Sequence, residues 1–409
     1  MSYSTASPLT LPSLTSDHRQ QLLEEEPLLS LYEVFASIPD PRSRHGLRYE
    51  LPFLLVCLVA ALLCNCDSTL AVGEWCRDQR RLLTQLFGPR RFLCPSDSLY
   101  RKLLPRLNGE QIEWALADWI RSTLQAKADD PIALDGKTVR GAGTDQQPAP
   151  HLLSFRTHHS QETLLQVVVS EKTNEIPVAQ ALLPCLPLEG RICTADALHT
   201  QKDFMLCVDA RGGKTVLTVK NNHPTLYADL ATYFSDPHAS FEQVCTLDQH
   251  RGRIEKRSIR VSTEMNSYLA DWPLIEQVAE LTRTVTVRKT GKTSQEVVYL
   301  ITPLTPLEAS PLRLLELVRG HWSIENSSHD VRDVTFKEDH SRLRSGHAPQ
   351  IMAALRNLAI TLIHRQGSSQ IAATRRHFAS HPRCAFDLLL PRRSTQQSFT
   401  SPGYQTRRH

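Results

Sequence analysis

Three acidic residues stand where a metal could be held. Residues 131–141 read PIALDGKTVRG, with Asp135 directly after the apolar run Ile132, Ala133, Leu134 and with Lys137 and Arg140 close behind. Residues 190–203 read GRICTADALHTQKD, with Asp196 after a second short apolar run, Ile192 to Ala195. Taken singly, each Asp reads equally as a turn or helix-cap residue, and Asp-Gly is a common turn pair. Taken together, they sit at the exits of two expected strands and converge if those strands are neighbours. At ~4 Å and an effective dielectric of ~20, two carboxylates repel by about 4 kcal/mol. A hard divalent cation removes that penalty, because Mg2+ binds one or two carboxylates together with substrate phosphates.

A third acid lies in RGHWSIENSSHDVRDVTFKEDHSRLRSG. His321 precedes Glu325 by four residues, while His329 and Arg332 follow it by four and seven. On an α-helix these four share one face. Trp322, Ile324, Val331, Val334 and Phe336 surround them with more apolar surface than an exposed ion-pair ladder carries. Asn326 reads either as a residue lining the site or as a helix-interior polar group bonded to a neighbouring strand. Three GKT tripeptides suggest a phosphate loop, which needs a glycine five residues before its GK glycine. Pro131, Val208 and Thr286 hold those places, so nucleotide hydrolysis finds no support.

The elements that must position these residues follow from the pattern of the 409-residue chain. Its length suits two or three domains, and 41% hydrophobic with 22% charged residues is ordinary for a globular protein. A net charge of +4 excludes a polycation, so any nucleic-acid surface must be local. Ten cysteines occur without a CxxC pair, which argues against zinc ribbons and thioredoxin-like sites and for reduced, cytosolic thiols. The 14-residue run LPFLLVCLVAALLC is short of the roughly 18–20 residues that span a bilayer and reads as a buried helix.

Residues 1–28 read as a loose leader and 29–128 as a helical domain, with Ser96 or Asp97 and Asn108 as helix caps. Between residues 70 and 106 this domain carries eight Arg or Lys against three acids. Arg77, Arg80, Arg81, Arg90, Arg91, Arg101, Lys102 and Arg106 form either a phosphate-facing surface or a solvated helix face. Strands at PIALD, HLLSF, TLLQVVVS, GRICTAD and KTVLTVK alternate with helical stretches over 129–224, the pattern of an α/β domain. Residues 225–305 are β-rich and read as an insertion. Residues 306–390 return to the α/β domain with the third acid, and 391–409 form a basic tail.

DGKTVRG, TADALHTQKD and HWSIENSSHDVRDVTFKEDHSRLRSGHAPQIMAALRNLA resemble, in order, the three catalytic blocks of bacterial insertion-sequence DDE transposases. The H-repeat-associated (ISAs-type) group fits best, with further matching stretches at IPDPRSRHGLRYELPFLLVCLVAALL, SEKTNEIPVAQALL and HRGRIEKR. The resemblance covers roughly residues 30–365. It implies an α/β, ribonuclease-H-like catalytic core with a β-rich insertion, preceded by an α-helical N-terminal domain. It places the metal-binding catalytic acids at Asp135, Asp196 and Glu325. The Tyr, Arg and Lys positions that surround the third acid in the wider superfamily fall on Val318, His321 and Arg332. In VKNNHPTL, Asn221 and His223 stand where the family more often has Gly and Gln.

By this resemblance the protein cleaves the inverted-repeat ends of a mobile element and joins them to target DNA. Two Mg2+ or Mn2+ ions would serve the phosphoryl transfer. Expected DNA contacts are Lys137, Arg140, Lys202, Lys220, His321 and Arg332 near the acids, with Arg80, Arg81, Arg90 and Arg91 on the helical domain. Expected partners are double-stranded DNA and a second copy of the chain, in the bacterial cytoplasm and on the nucleoid when DNA-bound. The alternatives are a transposase-derived DNA-binding protein without catalysis and a non-transposing metal nuclease of the same fold.

Overall fold

The structure, a computed structural model, describes residues 30–43, 47–88, 94–123, 129–144, 148–170, 174–250, 252–272 and 274–390. The expected leader, Arg90, Arg91 and the basic tail lie outside the described residues, as do the side chains of His250, Ser323, Glu325 and Asn326.

Six helices come first: α1 (Leu31–Ala36), α2 (Leu51–Leu63), α3 (Thr69–Asp78), α4 (Arg80–Phe87), α5 (Asp97–Leu103) and α6 (Gly109–Ser122). Ser30, Ser68, Ser96 and Asn108 cap α1, α3, α5 and α6, each accepting from a backbone N–H in the first turn. The 13-residue α2 is apolar on all sides because it is the centre of this domain, with Phe53 to Leu63 all buried. Among the described residues no helix is long and apolar enough to cross a membrane.

The α/β part runs β1 (Ile132–Thr138), β2 (His151–Thr157), β3 (Thr163–Val169), α7 (Glu175–Leu182), β4 (Ile192–Ala195), α8 (Lys202–Asp209), β5 (Lys214–Val219) and α9 (Pro224–Ser235). Four long strands follow: β6 (Glu242–His250), β7 (Arg253–Ser262), β8 (Gln277–Val287) and β9 (Thr293–Thr302). Helices α10 (Pro311–Ile324), α11 (Ala348–Arg365), α12 (Ile371–Ser380) and α13 (Pro382–Asp387) complete the described residues.

All nine strands form one sheet in the order β3-β2-β1-β4-β5-β9-β8-β7-β6. Only β1–β4 and β4–β5 pair in parallel, while β2 and β3 run as an antiparallel meander beside β1. This is the ribonuclease-H-like arrangement, in which helical crossovers join the parallel strands. The β-rich segment is not a sheet of its own. β9 lies antiparallel to β5, with Leu217 opposite Ile301 and Val219 opposite Tyr299, so the inserted strands extend the core sheet.

Alternation along the strands gives the sheet two buried faces. Ile132, Leu134, Cys193, Ala195, Leu217 and Val219 pack under α7, α8 and α9. On the other face Val216, Leu281 and Leu300 pack under α10. The C-terminal helices touch both parts: Ala353 packs with Val139 and Leu152, and Asn357 donates to Gln166 on β3. Ile351, Leu355, Phe378 and Phe386 also join the cluster around α2, so these helices pack against the helical part expected at 29–128.

Candidate active site

The parallel register places the first two acids. Ile132, Ala133 and Leu134 face Cys193, Thr194 and Ala195, and the pairing stops there. Asp135 and Asp196 each directly follow the last paired residue, which brings them to the same end of two neighbouring strands. The expected strand exit is correct for β4 but not for β1. Asp135, Gly136, Lys137 and Thr138 continue opposite Ser154, Leu153, Leu152 and His151, so Asp-Gly here is strand and not turn.

Each carboxylate is oriented by a nearby backbone N–H. Gly136 N donates to Asp135 Oδ1 at 2.8 Å, and Leu198 N donates to Asp196 Oδ1 at 3.1 Å. Asp196 caps a short 3-10 turn, Ala197–His199, and is exposed, while Asp135 is partly buried. The turn after β5 is tied back to this loop: Asn222 Nδ2 donates to Ala197 O, and His223 Nε2 contacts Thr200 O.

The segment that carries the third acid departs from the expected α-helix. After Ile324 the chain winds as wider π-helical turns, Glu325–His329 and Val331–Thr335. Such turns recur at functional sites. Residues 321, 329 and 332, expected on a single face, do not share one. His321 reaches β4, its Nδ1 3.1 Å from Thr194 Oγ1, and that hydroxyl is also 2.9 Å from His158 Nε2. His329 reaches β1, its Nε2 3.5 Å from Asp135 Oδ2. Arg332 turns away into the protein interior.

Burial keeps these imidazoles neutral. It pushes His321 down to about 4 and His158 and His329 down to about 3, with the Arg332 charge adding to the effect on His329. Beneath the same segment Arg156 is buried, and its guanidinium has no hydrogen-bond partner among the described residues. Burial and then Arg332 push Arg156 down to about 9.

Two expected phosphate contacts are ion pairs instead. Lys137 is buried with its Nζ 2.6 Å from Asp333 Oδ2, which fastens the π-helical segment to β1. Arg332 donates from Nε to both oxygens of Glu338, at 3.0 and 3.1 Å, and Arg356 Nη1 meets the same carboxylate at 3.1 Å. Burial works to raise the Glu338 carboxyl, but the two guanidinium groups hold it below its usual range. Lys137 and Arg332 are only 8% and 1% exposed, each engaged in its ion pair. A partner in space, 196 residues away for Lys137, leaves no local trace in the sequence.

His321, also expected at the DNA, is half-buried against β4, whereas Arg140, Lys202 and Lys220 are exposed. Arg140 lies on a 3-10 turn just past β1, Lys220 just past β5, and Lys202 at the start of α8. Lys202 Nζ sits 5.5 Å from the centre of the Trp272 ring, beside a cavity of about 470 Å3 lined by Gln201, His223, Thr225 and Trp272. On the helical domain Arg77, Arg80, Arg81, Arg101, Lys102 and Arg106 are exposed, with Arg106 Nη2 donating to Pro41 O at 2.7 Å.

Among the described residues no three His, Cys, Asp or Glu side chains already gather as a metal cluster, and the Glu325 side chain is not one of them. The donors that are present fit a hard cation. Two carboxylates adjoin at one strand edge, each oriented through one oxygen by a backbone N–H, with a neutral imidazole beside the first. His329 is the residue that sequence reasoning noticed beside the third acid but did not assign to the site.

Comparison with known proteins identifies the family. A family model described as "DDE_Tnp_1-associated" matches residues 32–120, and one described as "Transposase DDE domain" matches residues 127–362. "Putative transposase YncI" of Escherichia coli O157:H7 is 25% identical over 342 residues, covering 82% of this chain and 87% of that protein. "H repeat-associated putative transposase YhhI" of Escherichia coli (strain K12) is 24% identical over 350 residues, covering 82% and 90%. A piggyBac transposase, solved as a synaptic complex with hairpin DNA, aligns with a TM-score of 0.41 at 11% identity, covering 90% of this chain and 79% of that one. With the DDE-domain match spanning more than half of its length, the chain belongs to the DDE transposase family that includes the H-repeat-associated members.

Proposed function

We propose that this protein cleaves DNA at the inverted-repeat ends of an insertion sequence and joins those ends to target DNA. The observation that carries the reading is the adjacency of Asp135 and Asp196 at the end of the β1–β4 register, with the Glu325 segment docked over the same edge. Asp135, Asp196 and Glu325 would hold two Mg2+ or Mn2+ ions. When bound, the ions supply an activated oxygen nucleophile and neutralise charge on the leaving oxygen of an in-line displacement.

The chain's own residues do the positioning. Lys137 and Asp333 fasten the third-acid segment to β1, and Thr194 with His321 fastens the helix before it to β4. Arg140, Lys202 and Lys220 flank the acids on exposed turns and serve as phosphate contacts, a role that fixes the DNA's register without reading its sequence. Arg80 and Arg81, with Arg90 and Arg91, extend that contact onto the helical domain. Double-stranded DNA is the partner, two copies of the chain would hold two ends, and the reaction belongs in the cytoplasm on nucleoid DNA.

A supercoiled plasmid carrying the element ends tests this reading. Metal-dependent nicking is expected from the unaltered protein and lost in Asp135→Ala, Asp196→Ala and Glu325→Ala, with end binding retained. Full cleavage by any one of these variants refutes the assignment. A chain that binds ends and never cleaves supports a DNA-binding protein instead.

A further inference from the structure

On the opposite face of the sheet, behind the first two acids, lies a cluster that the proposed chemistry leaves unused. Glu175 opens α7, just after its cap Asn174. Its Oε1 is 2.7 Å from His151 Nε2, and its Oε2 is 3.1 Å from His199 Nε2. His151 stands opposite Thr138 at the end of the β1–β2 ladder, with Nδ1 2.9 Å from Thr138 Oγ1. His199 closes the turn that Asp196 opens, its backbone N–H donating to Asp196 O at 3.2 Å. One carboxylate therefore bridges the two stretches of chain that present the acids.

Gly136 fits the same arrangement. A Cβ there would lie 2.7 Å from His151 Nε2 and 2.9 Å from Glu175 Oε1, closer than such atoms approach. Gly136 is paired within a strand, so the missing side chain serves space and not a turn. The glycine after the first acid makes room for the bridge.

The hydrogen bonds have a consistent assignment with both rings neutral. His199 is buried and its Nδ1 has no hydrogen-bond partner among the described residues. A hydrogen on Nδ1 would be orphaned, and a bare Nε2 would oppose a carboxylate lone pair, so Nε2 carries the hydrogen. His151 donates likewise from Nε2, and its Nδ1 accepts from the Thr138 hydroxyl. Glu175 thus accepts at both oxygens, which a carboxylate can do and an amide cannot.

We infer that Glu175 is a positioning residue for the metal-holding acids: it clamps the strand just past Asp135 to the turn just past Asp196 and sets the spacing of the two carboxylates. The inference rests on the reading of Asp135 and Asp196 given above. Residues outside a metal's direct ligands typically change its affinity by roughly 10–100-fold when removed.

The test uses the full chain with Glu175→Ala and Glu175→Gln, alongside Asp135→Ala and Asp196→Ala. Mn2+ binding is measured by calorimetry on the DNA-free protein, half-saturating Mn2+ by strand cleavage, and folding by thermal melting. Glu175→Ala is expected to weaken Mn2+ binding about tenfold or more. It is also expected to raise the half-saturating Mn2+ in step, with cleavage largely restored at saturating metal. Glu175→Gln, which accepts at one end only, falls between. A purely structural role would lower the melting temperature and the active fraction without moving the half-saturation point. Unaltered Mn2+ affinity in folded variants overturns the inference, and so does loss of the fold in both. If Asp135→Ala and Asp196→Ala leave Mn2+ binding unchanged, it is the site reading that fails, and this inference falls with it.

Discussion

The Thr194 hydroxyl lies 3.1 Å from His321 Nδ1, and through that contact the strand leading to Asp196 holds the helix leading to Glu325. The hydroxyl also meets His158 Nε2 at 2.9 Å, so it donates to one ring and accepts from the N–H of the other. Thr194→Val keeps the shape and strands both rings in a buried place. We expect a loss of about 1–3 kcal/mol in stability, with a larger fall in cleavage than in end binding. Equal losses in both would assign Thr194 to the fold alone.

Acid sensitivity follows from buried neutral histidines. Burial pushes His158 and His329 down to about 3 and His321 and His364 down to about 4. A histidine depressed in the folded state keeps its full stability above the ordinary value near 6.5 and loses it as pH falls toward the folded value. Unfolding at pH 5 should therefore take up about four protons from these rings. Denaturant unfolding between pH 6.5 and 5 measures this, and a flat stability over that window would refute it.

Glu113 predicts the opposite slope at one position. Burial raises its carboxyl to about 8, against hydrogen bonds from Gln166 and Gln350 that act to lower it. The folded chain then keeps a proton that the unfolded chain releases, and stability drains away as pH rises from about 4.5 to about 8. Glu113→Gln keeps an acceptor for Gln166 Nε2, 2.8 Å away, and has no charge to bury. The variant is expected to match the unaltered protein near pH 4.5 and to exceed it by a few kcal/mol, roughly, at pH 8. Equal melting temperatures at pH 8 would remove the claim.

Glu338 is the converse case, a charge needed by two others. Glu338→Ala leaves Arg332 and Arg356 buried without their carboxylate, and breaking such a pair costs about 3–5 kcal/mol. Equilibrium unfolding of Glu338→Ala checks the figure, and a loss below ~1 kcal/mol would contradict it.

The exposed basic residues make a prediction about salt. Charge reversal at Arg80 and Arg81 should weaken binding to element ends and flatten the log–log salt dependence by about one unit per lost phosphate contact. An unchanged slope moves the DNA surface off α4.

The N-terminal helices, the buried α2 and the strands that lead into Asp135 and Asp196 were legible because each depends on local patterning, whereas α9 was hidden in a segment read as β-rich. Lys137 and Arg332 read as DNA contacts because a sequence shows a charge and not its partner. Asp333 meets Lys137 only across 196 residues of chain, and Glu338, six residues past Arg332, meets it only once the turns between them are wound. The π-helical turns were hidden for a similar reason. Period reasoning assumes an α-helix, and here side chains docked on two different strands set the winding. Gly136 looked like half of a turn pair, whereas its role is to admit Glu175 and His151, distant in sequence and adjacent in space.

The pairing of β9 with β5 has a consequence for building hybrids of this protein. Because Leu217 and Val219 share backbone hydrogen bonding with Ile301 and Tyr299, residues 225–305 are not a cassette that can be lifted out and replaced. A graft from a relative must bring a strand of matching register, or it leaves a raw edge on the strand next to the one that ends at Asp196. Chimeras that preserve this seam should be soluble, and those that shift it by one residue turn their apolar side chains to the wrong face.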